Sequence, residues 1–159
     1  MTQTMSSMPA ATLRAWRAFI ECAFALLDIL DDELKSEHGL TLRWYDALVH
    51  LEEADGGLAM NELAGKILAS KSGLTKVVDR MSTDGLVRRE RSEDDRRVVR
   101  VMITAKGRST LTAARVVHRK SIAEHFGHHV DETAAAELMH ALEPVRTHAR
   151  SMRPGRVRG

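Results

Sequence analysis

Three observations on this 159-residue chain predict a mainly α fold with a small β-wing. Apolar residues recur three and four apart over most of its length, the spacing of one helix face. Only the tract from Leu86 to Ile103 breaks that habit, as two β-rich strips joined by a polar knot. The composition is 43% hydrophobic but only 4% aromatic, with Ala, Leu and Arg frequent, which suits packed helices. The length favours one compact core, a single domain over 1–159.

From Thr12 to Glu37 the residues Leu13, Trp16, Ile20, Ala23, Leu27, Leu30 and Leu34 predict one long helix, stopped by His38-Gly39. Thr41 can cap a second helix, with Trp44, Tyr45, Leu48 and Leu51 as its apolar stripe and Asp55-Gly56-Gly57 as its break. Leu58 adds one short strand residue. Two helices follow, Met60 to Leu68 and Ser70 to Thr83, separated by so little chain that they must turn sharply on each other. Leu86 to Glu90 and Val98 to Ile103 form a hairpin. Thr104 can cap a long helix to about Gly127, and Asp131 another reaching at least Ala141, which Pro144 should kink or end.

No apolar run approaches the roughly 18 residues of a membrane span. The polar start MTQTMSS lacks the basic and apolar segments of a signal peptide, so a cytoplasmic location with no membrane partner is expected. The single Cys22 cannot form an intramolecular disulfide, in keeping with a reducing compartment.

Charge divides the chain. Arg14 to Met60 holds four basic and ten acidic residues, Lys66 to Lys106 eleven against six, and the stretch after Gly107 nine against five. The net charge of +2 hides this gradient, which points to a polyanion as a partner. In the helix from Ser70 to Thr83, Leu74, Val77, Val78 and Met81 make a core stripe, and Gly85 follows as a stop. The other side carries Ser72, Thr75, Lys76 and Arg80, with Lys71 in the first turn and no acid among them. An ordinary surface helix can look the same, but hydroxyls and cations also suit a major groove, where they reach phosphates and base edges. The hairpin behind it changes the balance. Helix, tight turn, helix and then a hairpin with arginines at its tip is the layout of a winged helix-turn-helix, here over 41–104, between helical segments 11–37 and 105–150.

On these residues the chain resembles the MarR family of bacterial transcriptional regulators, from about Leu13 to Leu142. The most specific part is SKSGLTKVVDRMSTDGLVRRERSEDDRRVVRVMITAKG, residues 70–107. Within it, LTKVVDRM..DGLVRR is similar to the family's recognition helix and first wing strand. DDRRVVRVMIT..G is similar to its Asp-x-Arg wing, here Asp95 and Arg97 with Arg96 between. The resemblance implies a homodimer assembled through dimerisation helices at 11–37 and 105–150, whose apolar stripes exceed what a small winged domain can cover. It implies double-stranded DNA as partner, a palindromic operator read in major grooves about 10 base pairs apart. Each wing would reach a flanking minor groove, whose negative potential favours arginine. The DNA-binding residues expected on this basis are Ser70, Lys71, Ser72, Thr75, Lys76, Arg80, Asp95, Arg96 and Arg97. Asp95 would brace the hairpin, Arg97 insert and Arg96 meet phosphate, or the two arginines exchange roles.

Members of the family commonly bind a small anion, often phenolic, in a cleft between the dimer helices and the winged region, and release the operator. The resemblance therefore implies a repressor released by a small aromatic or anionic effector, with Trp16, Trp44, Asp46, His50 and Arg89 as ligand-binding candidates. Core packing is the plainer account of the two tryptophans. Trp16, Asp46 and Arg89 match the urate-responsive branch in kind, but Val77 stands where that branch has a recognition-helix arginine. A related aromatic or planar anion is thus expected rather than urate. Cys22 invites comparison with the peroxide-sensing branch; with Tyr45 as the only tyrosine, a buried inert cysteine is the simpler expectation. His118, His125, His128 and His129, with Glu124, raise a zinc-sensing alternative, but only the remote His38 could complete a tetrahedral set, so no metal is expected. A constitutive DNA-binding protein of the same fold, without ligand, is the other reading. No nucleophile, phosphate loop or carboxylate pair accompanies the histidines, so neither an enzyme nor a cofactor is expected.

Overall fold

The structure, a computed structural model, describes residues 8–67, 71–91 and 98–152, with Lys71 and Ser72 described in backbone only. Ser70, Asp95, Arg96 and Arg97, on which part of the DNA-binding expectation rests, lie outside the described residues. Among the described residues the chain forms six α-helices and three short strands. In order they are α1 (Ala10–His38), α2 (Leu42–Glu53), β1 (Leu58–Ala59), α3 (Met60–Lys66), α4 (Lys71–Thr83), β2 (Val87–Arg91), β3 (Val99–Ile103), α5 (Ala105–Ile122) and α6 (Glu132–Ser151).

The helix starts follow from side chains that satisfy otherwise orphaned amides. Thr41 Oγ1 accepts from the Trp44 amide at 3.2 Å, Thr104 Oγ1 from Gly107 at 3.0 Å, and Asp131 Oδ1 from Ala134 at 2.8 Å. Glu62 reaches back from the first turn of α3 to the Ala59 amide at 2.7 Å. Asp31 does the same between elements, accepting from the Leu42 amide at 2.6 Å and so tying α1 to the start of α2.

The strands form one antiparallel sheet in the order β1-β3-β2, with Leu58 opposite Val101 and Val87 opposite Ile103. Val87, Val101 and Ile103 turn inward onto a core that includes Leu34, Leu48, Leu51, Leu63, Leu74, Val78, Met81 and Leu111. Burying each such side chain contributes roughly 1.5–3 kcal/mol.

One joint links the recognition-type helix, the hairpin and the long helix behind it. α4 ends with Gly85 at φ 72°, the Leu86 amide bonded to the Met81 carbonyl and the Gly85 amide to Ser82, a left-handed stop that glycine adopts without strain. The Leu86 carbonyl then accepts from both the amide and the hydroxyl of Thr104, at 3.0 and 3.1 Å, and Thr104 Oγ1 also donates to Gly85 at 2.7 Å. The joint closes only because residue 107 has no side chain. A Cβ there would lie 2.2 Å from the Leu86 oxygen and 2.9 Å from Ile103 Cγ1.

α5 packs on α1 and α2. Tyr45 stacks on His118 with ring centroids 4.4 Å apart, and Arg115 meets Glu52 at 2.5 Å. Burial pushes the Tyr45 phenol up and the His118 imidazole down. Beyond Ile122 the helix does not continue as α to Gly127 as expected; Ala123–Gly127 winds as a π-helical turn, from which His125 bonds Glu33 of α1 at 2.9 Å. Ser121 and His125, both directed at Glu33, hold its carboxyl below the usual range. Of the two effects expected of Pro144, a kink or an end, the helix does not end there: α6 runs through it to Ser151. Proline removes one amide, and α6 buries none of its residues, so water can satisfy the carbonyl left free.

The outer helices are left uncovered. Leu13, Trp16, Phe19 and Phe24 on α1, Val116 on α5, and Leu138, Met139 and Val145 on α6 are all exposed.

Two outcomes test this packing. Gly107→Ala is expected to destabilise the fold by roughly 1–3 kcal/mol, read from urea midpoints at fixed protein concentration, because the added methyl meets backbone. For His118 the folded chain binds its proton less readily than the unfolded chain, so its stability contribution is present above the ordinary histidine value and is lost as pH falls from there through the lower folded value. His118→Phe keeps the ring stack, and its urea midpoints should therefore fall less than those of the parent from about pH 6.5 downward.

Candidate nucleic-acid interface and adjoining cleft

α4 presents two working faces because 3.6 residues per turn separate its stripes. Leu74, Val77, Val78 and Met81 are buried as the spacing predicts, and Thr75, Lys76, Asp79 and Arg80 are exposed. The backbone of Lys71 and Ser72 lies in the first turn of this helix. Asp79 follows Lys76 by three positions and Thr75 by four, so it shares their strip. Asp79 thereby adds an acid to the outward side, beside the hydroxyls and cations named from the sequence. Its carboxylate is met by Arg89 of β2, Nη2 to Oδ1 at 2.6 Å. Arg89 sits opposite the buried Val101, which places it on the sheet face turned toward the core and α4.

Two other hairpin arginines, Arg88 and Arg100, are also engaged. Arg88 pairs with Glu90 of its own strand at 2.8 Å. Arg100 of β3 donates Nε to the Gly56 carbonyl at 3.0 Å and Nη2 to Gly57 at 2.7 Å, anchoring the hairpin to the turn after α2. Basic residues in this tract thus serve architecture as well as surface charge.

Beside α4 lies a cleft of about 430 Å³, walled by Leu27, Asp28 and Asp31 of α1, by Thr41, Leu42, Arg43, Trp44 and Asp46 at the start of α2, and by Val77 and Arg80 of α4. Of the residues expected to bind a ligand, it brings together Trp44 and Asp46. Trp44 also packs against the core, as the plainer account of it supposes. Trp16 lies outside the lining, exposed on α1 and tilted against Phe19 at 6.3 Å. His50 lies one turn beyond Asp46, its ring nitrogens 3.6 Å from the Asp46 and 3.5 Å from the Glu53 carboxylate. Arg89 is held at Asp79. Arg80, expected only at DNA, instead also forms part of the cleft wall, one turn along from Val77. Burial alone would push the Asp31 carboxyl up, but the Lys35 ammonium, the Leu42 amide and Arg43 outweigh it and hold it below its ordinary value.

Cys22 is exposed, not buried, because the part of α1 that carries it has little cover within its own chain. Among the described residues no three His, Cys, Asp or Glu side chains gather as a metal would require. No described helix is long and apolar enough to cross a membrane.

The architecture and the amino-acid sequence together match known proteins. AbsC, a MarR family transcriptional regulator from Streptomyces coelicolor, is 32% identical, with 92% of this chain and 99% of that one covered at a TM-score of 0.82. This chain belongs to the MarR family. A family model described as MarR matches residues 38–98, from the end of α1 into the hairpin. Sco3205, a MarR family regulator from the same organism solved in complex with DNA, is 27% identical over 96% of this chain and 94% of that one, at a TM-score of 0.85. The HTH-type transcriptional regulator YsmB of Bacillus subtilis is 28% identical over 103 residues, 65% of this chain and 70% of that protein. The chain is accordingly a DNA-binding transcriptional regulator with the winged helix fold of the MarR family, a class of regulators and not of enzymes.

Proposed function

We propose that this MarR family chain is a homodimeric repressor that holds a palindromic operator and is released by a small aromatic ligand seated in the cleft. One observation carries the proposal. Thr75 and Lys76 face outward from α4 while Val77 and Arg80 of the same helix wall the cleft, so a cleft occupant presses on the helix that would read DNA. The uncovered apolar surface of α1, α5 and α6 supports a second copy of the chain as its cover. A two-fold axis would then set two α4 helices about one turn of duplex apart, on half-sites of a palindrome. Lys71, Ser72, Thr75, Lys76 and Arg80, with Ser70, Asp95, Arg96 and Arg97, complete the proposed DNA contacts. Release needs only that the ligand prefer the spread arrangement of the dimer by a few kcal/mol.

The chemistry of the walls narrows the ligand. Trp44 offers a ring face, and Arg80 and Arg43 offer cations to an anionic group. Asp28, Asp31 and Asp46 line the same space, so an occupant that also carries a hydroxyl or amine donor fits better than a bare aromatic anion.

The test begins with duplexes selected from a random library by the purified protein. A shared two-fold-symmetric sequence is expected among them, and Lys76→Ala should reduce the salt slope of binding by about 1.8, one phosphate contact in each of the two protomers. A screen of hydroxylated and amino-substituted aromatic acids should then yield a compound that weakens binding about tenfold, with the effect lost in Trp44→Ala. Selected duplexes with no common sequence contradict the operator reading, and release that survives Trp44→Ala contradicts the cleft.

A further inference from the structure

Asp79 places a carboxylate on the strip of α4 that carries Thr75 and Lys76, and it is the one acidic residue of that helix. Left alone, a carboxylate on a surface that meets phosphates repels the duplex. Here Arg89 holds it at 2.6 Å, with both side chains partly open to solvent. The register separates this arginine from Arg88, and its place nearer the end of α4 separates it from Arg91 at the far end of the strand. Arg89 lies opposite Val101, on the sheet face turned toward α4, whereas Arg88 projects to the other face with Glu90. Arg100 is taken up by the Gly56 and Gly57 carbonyls. Of these three arginines, Arg89 is the one that crosses from the hairpin to the helix.

We propose that Arg89 is a positioning residue for DNA binding, which neutralises Asp79 and ties the wing to the recognition helix without itself contacting DNA or effector. The inference rests on α4 being the DNA-contacting helix. An exposed pair of this kind contributes little to folding. Its effect is felt when the duplex approaches, because loss of Arg89 leaves the Asp79 charge facing phosphate and the hairpin free to shift against α4.

The test is a four-protein cycle on a duplex selected from a random library, at one salt concentration, with the full chain as wild type, Arg89→Ala, Asp79→Asn and the double variant. Arg89→Ala alone should weaken binding about tenfold, and the same change in the Asp79→Asn background less than about twofold. Melting temperatures of the four proteins should agree within about 3 °C, which separates positioning from general stability. An equal loss in both backgrounds overturns the proposal, since Arg89 would then act on DNA directly. So does the absence of any loss on Arg89→Ala. Lys76→Ala, measured alongside, separates the two levels of the account. If it binds as wild type, the DNA-facing assignment of α4 falls and this proposal with it; if it is weakened while the Arg89 losses are equal, only the positioning role falls.

Discussion

The surfaces assigned to DNA in this chain are oriented through one carbonyl, that of Leu86. It accepts from the amide and the hydroxyl of Thr104, while the Leu86 amide closes the end of α4 on Met81. Three directions are set there at once. The α4 axis is fixed by its left-handed stop at Gly85, the hairpin leaves from Leu86, and α5 starts from the Thr104 cap. Gly107 permits the close approach, and Lys106 adds a bond to the Asp84 carbonyl at 2.7 Å. Because α5 also packs on α1, the joint connects α4, the helix proposed to face DNA, to the helices whose apolar sides are exposed. A displacement of the outer helices therefore has a short, hydrogen-bonded route to α4.

The cleft adjoins the flank of the same helix, with Arg80 bordering both it and the outward strip. Its α1 wall is braced by the Asp31 bond to the Leu42 amide and by the Lys35 ion pair with Asp31, so that wall is the stiffer one. Its α4 wall is the side chains of Val77 and Arg80. In the proposed reading an occupant would work between a braced corner and α4, and the Asp79–Arg89 pair would carry movement of that helix to the hairpin. Short-range bonds and close packing, not a long chain of weak contacts, supply the coupling.

Much of this was legible in the amino-acid order because local rules agree with the fold. The stripe Leu74, Val77, Val78, Met81 has helical period and is buried, and Thr41, Thr104 and Asp131 precede apolar runs and act as caps. What escaped depends on how distant segments cross. The Asp79–Arg89 pair requires the hairpin to fold back on α4 with Arg89 in register with Val101, which periodicity within either segment does not reveal. Arg80 lines the cleft because of the angle at which α4 meets α1 and α2, so a helical wheel assigns it to the outer face only. Core packing for Trp16 and burial for Cys22 are the simpler expectations from the sequence, yet a single chain leaves both exposed, since α1 extends beyond the domain that could cover it. The π-helical turn at Ala123–Gly127 and the passage of α6 through Pro144 have no local signal of comparable strength.

The central claim is that α4, the β2–β3 hairpin and the first turns of α5 form one mechanical unit through the Leu86–Thr104 joint. Native-state amide hydrogen exchange under mild denaturant measures it directly, since elements of one unit open together. The account predicts one common opening free energy and denaturant dependence for amides of α4, of the two hairpin strands and of Thr104 to Gly107. Opening of α4 at a distinctly lower free energy than the hairpin and the start of α5 would contradict it.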